Sequence, residues 1–356
     1  SQAVERGPNR ADAPVMHPSR RGSRAKAAAA IRDTDPDRLI DKLVADRHSA
    51  TGVASNASLL RGWEHYHVLG HRHLAEPPCT YPVTADSIIR VGSLFKKAGY
   101  RSFPNYLSAA KARHIEGPPT AEWTQLHEHT GKWVSRSVLR GIGPARQSCP
   151  FHFKRLCSLA KQPHPLVDGG PVQPMHLALL STLFLLREVE SGTAKVSAWS
   201  FDHDDKEVSW NLPGPKTDPL ALGTTRTWGC LCELADFACP YHLAAEHFQW
   251  LLHHPTLSSL GDAPLFPTVC GDHPPKTKVV DTFEQLAVLT NMPLASPDGL
   301  RLIGGHTARV TGAQAFALAG LEVNKIRILA RHSGDTILRY VADVPLRTLR
   351  ADLVIK

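Results

Sequence analysis

Apolar positions along this chain recur with two periods. From about 36 to 160 the spacing is helical: Ala57 to Val68 opens after Asn56, Thr84-Ala-Asp-Ser-Ile begins a helix that stops at Gly99, and Phe103 to His114 and Ala121 to Leu139 follow. A Ser or Thr ahead of an apolar-periodic run is an N-cap signal, because its side-chain oxygen accepts an otherwise free backbone N–H. Gly99 and Gly141 stand where helices end. A Pro-rich stretch over 162–174 then breaks the pattern and predicts a boundary. Next comes an apolar helix over Met175 to Arg187. Beyond it, Val196-Ser-Ala-Trp-Ser-Phe and Glu207-Val-Ser-Trp-Asn-Leu alternate as half-buried strands do, separated by Asp202-His-Asp-Asp, a turn composition. Apart from a loop between Pro264 and Lys278, the remainder returns to helices. The expected fold class is mainly α with a small antiparallel β-sheet (α+β).

The 356 residues correspond to about two domains. The expected division is a basic arm over 1–35 that lacks apolar periodicity and reads as disordered, a helical domain over 36–160, a linker over 161–174 and a second domain over 175–356. Hydrophobic residues make up 42% and charged residues 21%, ordinary globular usage that excludes wholesale disorder. Lys and Arg number 41 against 33 Asp and Glu, a formal charge of +8 with a pI near 9.2. Such an excess favours a polyanion, since displacing counterions from a phosphate backbone drives association. Double-stranded DNA is the partner expected. Lys96, Lys97, Arg101, Lys111, Arg113, Arg136 and Arg140, with Tyr100 and Tyr106 nearby, suit a helical face laid on phosphates. The odd count of seven scattered Cys argues against a secreted disulfide framework and for a reducing, intracellular setting. No apolar run approaches the 18 or so residues of a membrane span, so no membrane is expected.

The chemistry concentrates near the C-terminus. Gly305-His306-Thr307-Ala308-Arg309 places a His and an Arg three apart on one helical face, able to converge on one anion. Ala330-Arg331-His332-Ser333 and Thr336-Ile-Leu-Arg-Tyr340-Val follow. Upstream stand Phe184-Leu-Leu-Arg187-Glu-Val-Glu190 and Leu212-Pro-Gly-Pro-Lys216-Thr-Asp. In order, these resemble the boxes of the tyrosine recombinases, the phage-integrase-like strand-transfer family: Arg187, Lys216, His306 with Arg309, His332 and Tyr340. The motif resemblance covers about 180 to 345. A weaker one, through Phe95-Lys-Lys-Ala-Gly-Tyr100-Arg-Ser-Phe-Pro-Asn-Tyr106 and Arg140-Gly-Ile-Gly-Pro, is to the helical DNA-clamping domain of eukaryotic DIRS and Crypton elements. Tyr340 follows His332 by eight residues, where many bacterial integrases have nine.

The resemblance implies an N-terminal DNA-clamping domain and a C-terminal catalytic domain that cuts and rejoins DNA through a 3′-phosphotyrosyl ester. It also implies a homotetramer on two duplexes, no cofactor for catalysis, a mobile-element origin and, in a eukaryote, the nucleus. The residue types fit that chemistry. Guanidinium groups of Arg187 and Arg309 can neutralise the non-bridging oxygens of a phosphodiester. The phenol of Tyr340 needs a proton acceptor, His306, while His332 can donate to the phosphate. Lys216 can protonate the leaving 5′ oxygen, with Lys195 the nearest alternative. Two alternatives stay open: type IB topoisomerase-like relaxation, and a recombinase-derived DNA-binding protein without turnover.

A separate cluster, Cys230-Leu-Cys232 with Cys239-Pro-Tyr-His242, offers three thiols and an imidazole, a candidate structural zinc shell. Cys270 and His273 are alternative ligands.

Overall fold

The computed structural model describes residues 23–33, 35–45, 50–117, 121–143, 147–160, 162, 164–212, 223–233, 238–257, 260–332, 335–342 and 344. Two compact units meet in sequence at 145/146.

In the N-terminal unit, α1 (Arg24–Asp33), α2 (Pro36–Ala45), α3 (Ala50–Gly70), α4 (Ala85–Lys97), α5 (Phe103–Ile115) and α6 (Gln125–Leu139) follow one another. The Thr84 hydroxyl accepts the Ser87 N–H at 3.1 Å and starts α4, a cap worth about 1 kcal/mol. Gly99 and Gly141 follow α4 and α6 at φ +62 and +87, left-handed conformations that glycine adopts without a Cβ clash. Trp63, Ile88, Val91, Phe95, Phe103, Val134 and Val138 form the core. Within the arm read as disordered, Arg24–Asp33 is helical, since Lys26-Ala-Ala-Ala-Ala-Ile carries high intrinsic helix propensity; 1–22 lie outside the described residues.

Three of the basic side chains expected to face phosphates are engaged inside this unit. Lys96 Nζ donates to the Ser137 carbonyl at 2.6 Å, Arg101 Nη2 donates to the Gly143 carbonyl at 2.6 Å, and Lys111 pairs with Glu128 at 2.8 Å while lying over the Trp123 ring. Lys97, Arg113, Arg136 and Arg140 are exposed.

Residues 147–160, with α7 (Phe153–Ser158), belong to the C-terminal unit, which moves the end of the helical domain back from the expected 160: Phe151 and Leu156 are buried in the C-terminal core, and the Phe151 N–H donates to Thr311 Oγ1 at 2.8 Å. The unit continues through α8 (Pro174–Leu183), α9 (Glu188–Gly192), a 3-10 turn at Val196–Ala198, β1 (Trp199–Asp202), β2 (Glu207–Leu212), β3 (Thr224–Gly229), α10 (Pro240–Leu252), α11 (Lys276–Leu289), α12 (Thr307–Leu318), α13 (Val323–Leu329) and α14 (Thr336–Val341). The sheet is antiparallel in the order β1-β2-β3, with Trp199 opposite Trp210 and Trp210 opposite Arg226. The fold is thus mainly helical with one small antiparallel sheet. β3 escaped the sequence reading because Thr-Thr-Arg-Thr-Trp is half-exposed and shows no apolar alternation.

Two apolar clusters position the chemistry. One gathers Leu179, Phe184, Trp199, Phe201, Trp210, Phe248 and Phe283 around the wholly buried α8. The other, with Leu185, Val310, Ala313, Ile326, Ile337 and Tyr340, joins α12, α13 and α14. At Gly312 a Cβ would stand 2.1 Å from the Thr182 carbonyl oxygen, so only glycine lets α12 lie this close to α8. No described helix is long and apolar enough to cross a membrane.

Candidate active site

The helix expected to run through Arg187 stops at Leu183. Leu185 adopts φ +55, and this reversal sets Arg187 as the residue before α9 instead of at the end of α8. The Arg187 N–H then donates to Glu190 Oε2 at 2.8 Å and its Nη2 to Glu190 Oε1 at 2.9 Å. Glu190 is buried, and it gathers two further guanidinium groups from distant segments: Arg309 Nη2 donates to Oε2 at 2.7 Å and Arg331 Nη2 to Oε1 at 2.5 Å. Arg309, itself buried, also donates through Nε to the Leu185 carbonyl at 2.7 Å, so the reversal at Leu185 holds both arginines. Burial pushes the Glu190 carboxyl upward, but Arg309 and Arg331 outweigh it and leave it below the usual range. Burial lowers Arg309 to about 10 against the pull of Glu190.

Three guanidinium groups against one carboxylate leave a positive excess. Arg187 Nε and His332 Nε2 are buried with no hydrogen-bond partner among the described residues. Unsatisfied buried polar groups are costly, so these nitrogens suit an incoming anion with several acceptor oxygens.

His306 precedes α12 and Arg309 lies in its first turn. At Gly305 the Glu188 carboxylate lies against the backbone, where a Cβ would stand 2.0 Å from its carboxyl carbon and would displace that side chain. The Tyr340 hydroxyl on α14 lies 3.2 Å from His306 Nδ1, and the His332 ring meets the Tyr340 ring edge-on at 5.3 Å between centroids. Burial and then Arg309 lower His306 below its ordinary value, and the same pair of causes brings His332 down to about 4. Both imidazoles are therefore neutral near pH 7. Burial pushes the Tyr340 phenol up, while Arg309 and Arg187 pull it down. This arrangement can hold a phosphate between guanidinium groups and offer it a phenol oxygen with a base beside it.

Five of the six residues expected in the site, Arg187, His306, Arg309, His332 and Tyr340, are thereby brought together. Lys216 lies outside the described residues, in the β2–β3 connection. Lys195, the alternative acid, pairs with Asp262 at 2.8 Å. The sequence reading missed Glu190 as a hub and Arg331 as a third arginine. The Arg-x-x-Glu spacing at 187–190 was the available signal for the first, and adjacency to His332 for the second. Cys230, Cys232, Cys239 and His242 also converge, their ligand atoms all within 4.8 Å of one another; Cys270 and His273 are not part of that group, and His273 Nδ1 instead lies 3.0 Å from the Gly192 carbonyl.

No family model matches the sequence, and no curated protein does. Solved structures do. A lambda integrase dimer bound to a COC′ core site is similar at a TM-score of 0.53 and 13% identity, over 86% of this chain and 93% of that one. The Tn1549 transposon integrase in complex with transposon right end DNA is similar at 0.54 and 14%, over 92% and 96%. The XerH site-specific recombinase bound to a palindromic difH substrate is similar at 0.52 and 11%, over 82% and 78%. At such low identities the likeness is one of fold, and the fold that this chain carries is that of the tyrosine recombinases.

Proposed function

We propose that this chain is a site-specific DNA recombinase of a mobile element, cutting and rejoining double-stranded DNA through a phosphotyrosyl link at Tyr340. The observation that carries this reading is the Tyr340 hydroxyl 3.2 Å from His306 Nδ1, beside Arg187, Arg309 and Arg331 gathered on Glu190. In the first step His306 takes the phenol proton and the Tyr340 oxygen bonds to phosphorus. Arg187 and Arg309 neutralise the non-bridging oxygens, with His332 donating to one of them. The bond from phosphorus to the 5′ oxygen breaks, and Lys216 supplies the proton that this oxygen takes up. Attack by a 5′ hydroxyl of a second strand reverses the sequence and releases Tyr340. The ester conserves the bond energy, so the cycle is balanced without nucleotide hydrolysis. Lambda integrase has been seen as a dimer on a core site and as a tetramer on a Holliday junction, which supports assembly of four protomers on two duplexes here.

The test is to incubate the full chain with a pool of nicked duplexes of randomised sequence, from which a cleaved fragment diffuses away and traps the covalent adduct. The expected result is an adduct mapped to Tyr340, absent in Tyr340→Phe while DNA affinity is kept, and exchange of strands between two duplexes carrying the selected site. Relaxation of supercoiled DNA without exchange supports the topoisomerase reading instead. DNA binding with no adduct in the wild type leaves a binding protein without turnover.

A further inference from the structure

Outside the arginine-rich centre the fold gathers a second set of reactive side chains. Cys230 and Cys232 follow β3 directly, Cys239 precedes α10, and His242 lies in the first turn of α10. His242 Nδ1 is 3.2 Å from Cys232 Sγ, 3.4 Å from Cys239 Sγ and 3.6 Å from Cys230 Sγ, and the sulfurs of Cys230 and Cys239 are 3.7 Å apart. A ring nitrogen has either one lone pair or one N–H, so three sulfurs at these distances cannot all be its hydrogen-bond partners. A tetrahedral ion brings its donors to about this spacing. With Zn–S about 2.3 Å and Zn–N about 2.0–2.1 Å, tetrahedral angles put sulfurs about 3.7–3.8 Å apart and each sulfur about 3.5–3.6 Å from the nitrogen. The Leu231 N–H donates to Cys239 Sγ at 3.2 Å, the kind of outer bond that steadies a metal-bound thiolate.

We infer that Cys230, Cys232, Cys239 and His242 hold one zinc ion in a closed structural site. Four protein donors complete the tetrahedron and leave no position for water or substrate. Three soft thiolates and an imidazole select zinc over magnesium or calcium, and each thiol releases its proton to solvent on binding. The ion joins the end of β3 to the start of α10. β3 in turn braces the arginine-rich centre from two sides. Arg226 Nε donates to the Leu329 carbonyl at 3.1 Å, at the end of the helix that leads into Arg331 and His332. Trp228 Nε1 donates to the Leu183 carbonyl at 3.0 Å, four residues before Arg187. The zinc therefore fixes a strand on which both halves of the phosphate-binding cluster lean. Its test needs no DNA, so its outcome is separate from that of the recombinase reading.

The full chain, purified under reducing conditions without chelator, is expected to carry one zinc per molecule by elemental analysis. Cys232→Ser and His242→Gln lose it, and Cys270→Ser keeps it. Because those variants can fail to fold, the wild type supplies a second readout. Chelation lowers Tm and zinc restores it, and cobalt(II) in its place shows the charge-transfer and visible bands of a tetrahedral thiolate centre. A folded wild type that holds neither zinc nor cobalt overturns the inference. So does zinc that persists in Cys232→Ser and leaves in Cys270→Ser, or a Cys230–Cys239 disulfide found in the protein purified under reduction.

Discussion

Tyr340 and His306, 34 positions apart in sequence, meet with the phenol oxygen 3.2 Å from the imidazole Nδ1. Burial raises the phenol and lowers the imidazole, so near neutral pH both are uncharged and the hydroxyl can donate to Nδ1. An imidazole protonated in acid can no longer accept. The rate of adduct formation on a trapping duplex should therefore fall as pH drops through the His306 value, with a midpoint below the ordinary 6.5 of histidine. His306→Ala should lose that acid limb and about 100-fold or more in rate, the usual scale of general-base catalysis. An acid limb that persists in His306→Ala assigns the proton to another group.

Lys216 as the acid can be separated from the arginines by the leaving atom. Lys216→Ala should cripple cleavage of ordinary DNA and recover on a duplex whose bridging 5′ oxygen is sulfur, since a thiolate leaves without a proton. Arg187→Ala and Arg309→Ala should each lose about 100-fold or more, as electrostatic donors to a developing oxyanion do, and neither should recover. Equal defects of Lys216→Ala on both substrates point to a different acid.

Glu190 holds three guanidinium groups, one of them on the buried Arg309. Removing one member of a buried ion pair leaves an uncompensated charge and costs about 3–5 kcal/mol. Glu190→Gln should therefore destabilise the chain by about that amount in urea melts. A loss below about 1 kcal/mol, the range of exposed pairs, would mean that solvent already screens the cluster.

His247 is fully buried. Its Nε2 donates to the Leu265 carbonyl at 2.6 Å and its Nδ1 stands 3.0 Å from Nδ1 of His176. Burial, helped by His176, brings His247 down to about 3 from 6.5. Between those values the unfolded chain binds a proton that the folded chain does not. Stability is therefore complete above the unfolded value and falls as pH drops toward the folded one. His176, His306 and His332 are shifted in the same direction. Urea melts across that window should show a decline in acid, and His247→Gln should flatten the slope by up to about 1.4 kcal/mol per pH unit. An unchanged slope in that variant would place the uptake on other groups.

What lay within one segment was legible in the sequence. The 3.6-residue period and a capping threonine determine α4, alternation determines β1 and β2, and three-residue spacing places His306 and Arg309 on the same turn. The order of Arg, Lys, His, Arg, His and Tyr was likewise there to read, because residue type and sequence position are local properties. What depended on distant segments was decided only by packing. Leu185 in its left-handed turn separates α8 from α9 and turns Arg187 toward Glu190, and nothing in Phe184-Leu-Leu-Arg187 announces that reversal. Arg309 and Arg331 reach Glu190 across 119 and 141 residues, and β3 forms from residues whose own pattern does not demand a strand. Local rules fix the direction of a side chain relative to its own helix or strand. Which carboxylate, imidazole or thiol it meets depends on how closely the elements approach, as α12 approaches α8 at Gly312, and that follows only when the whole unit closes around its core.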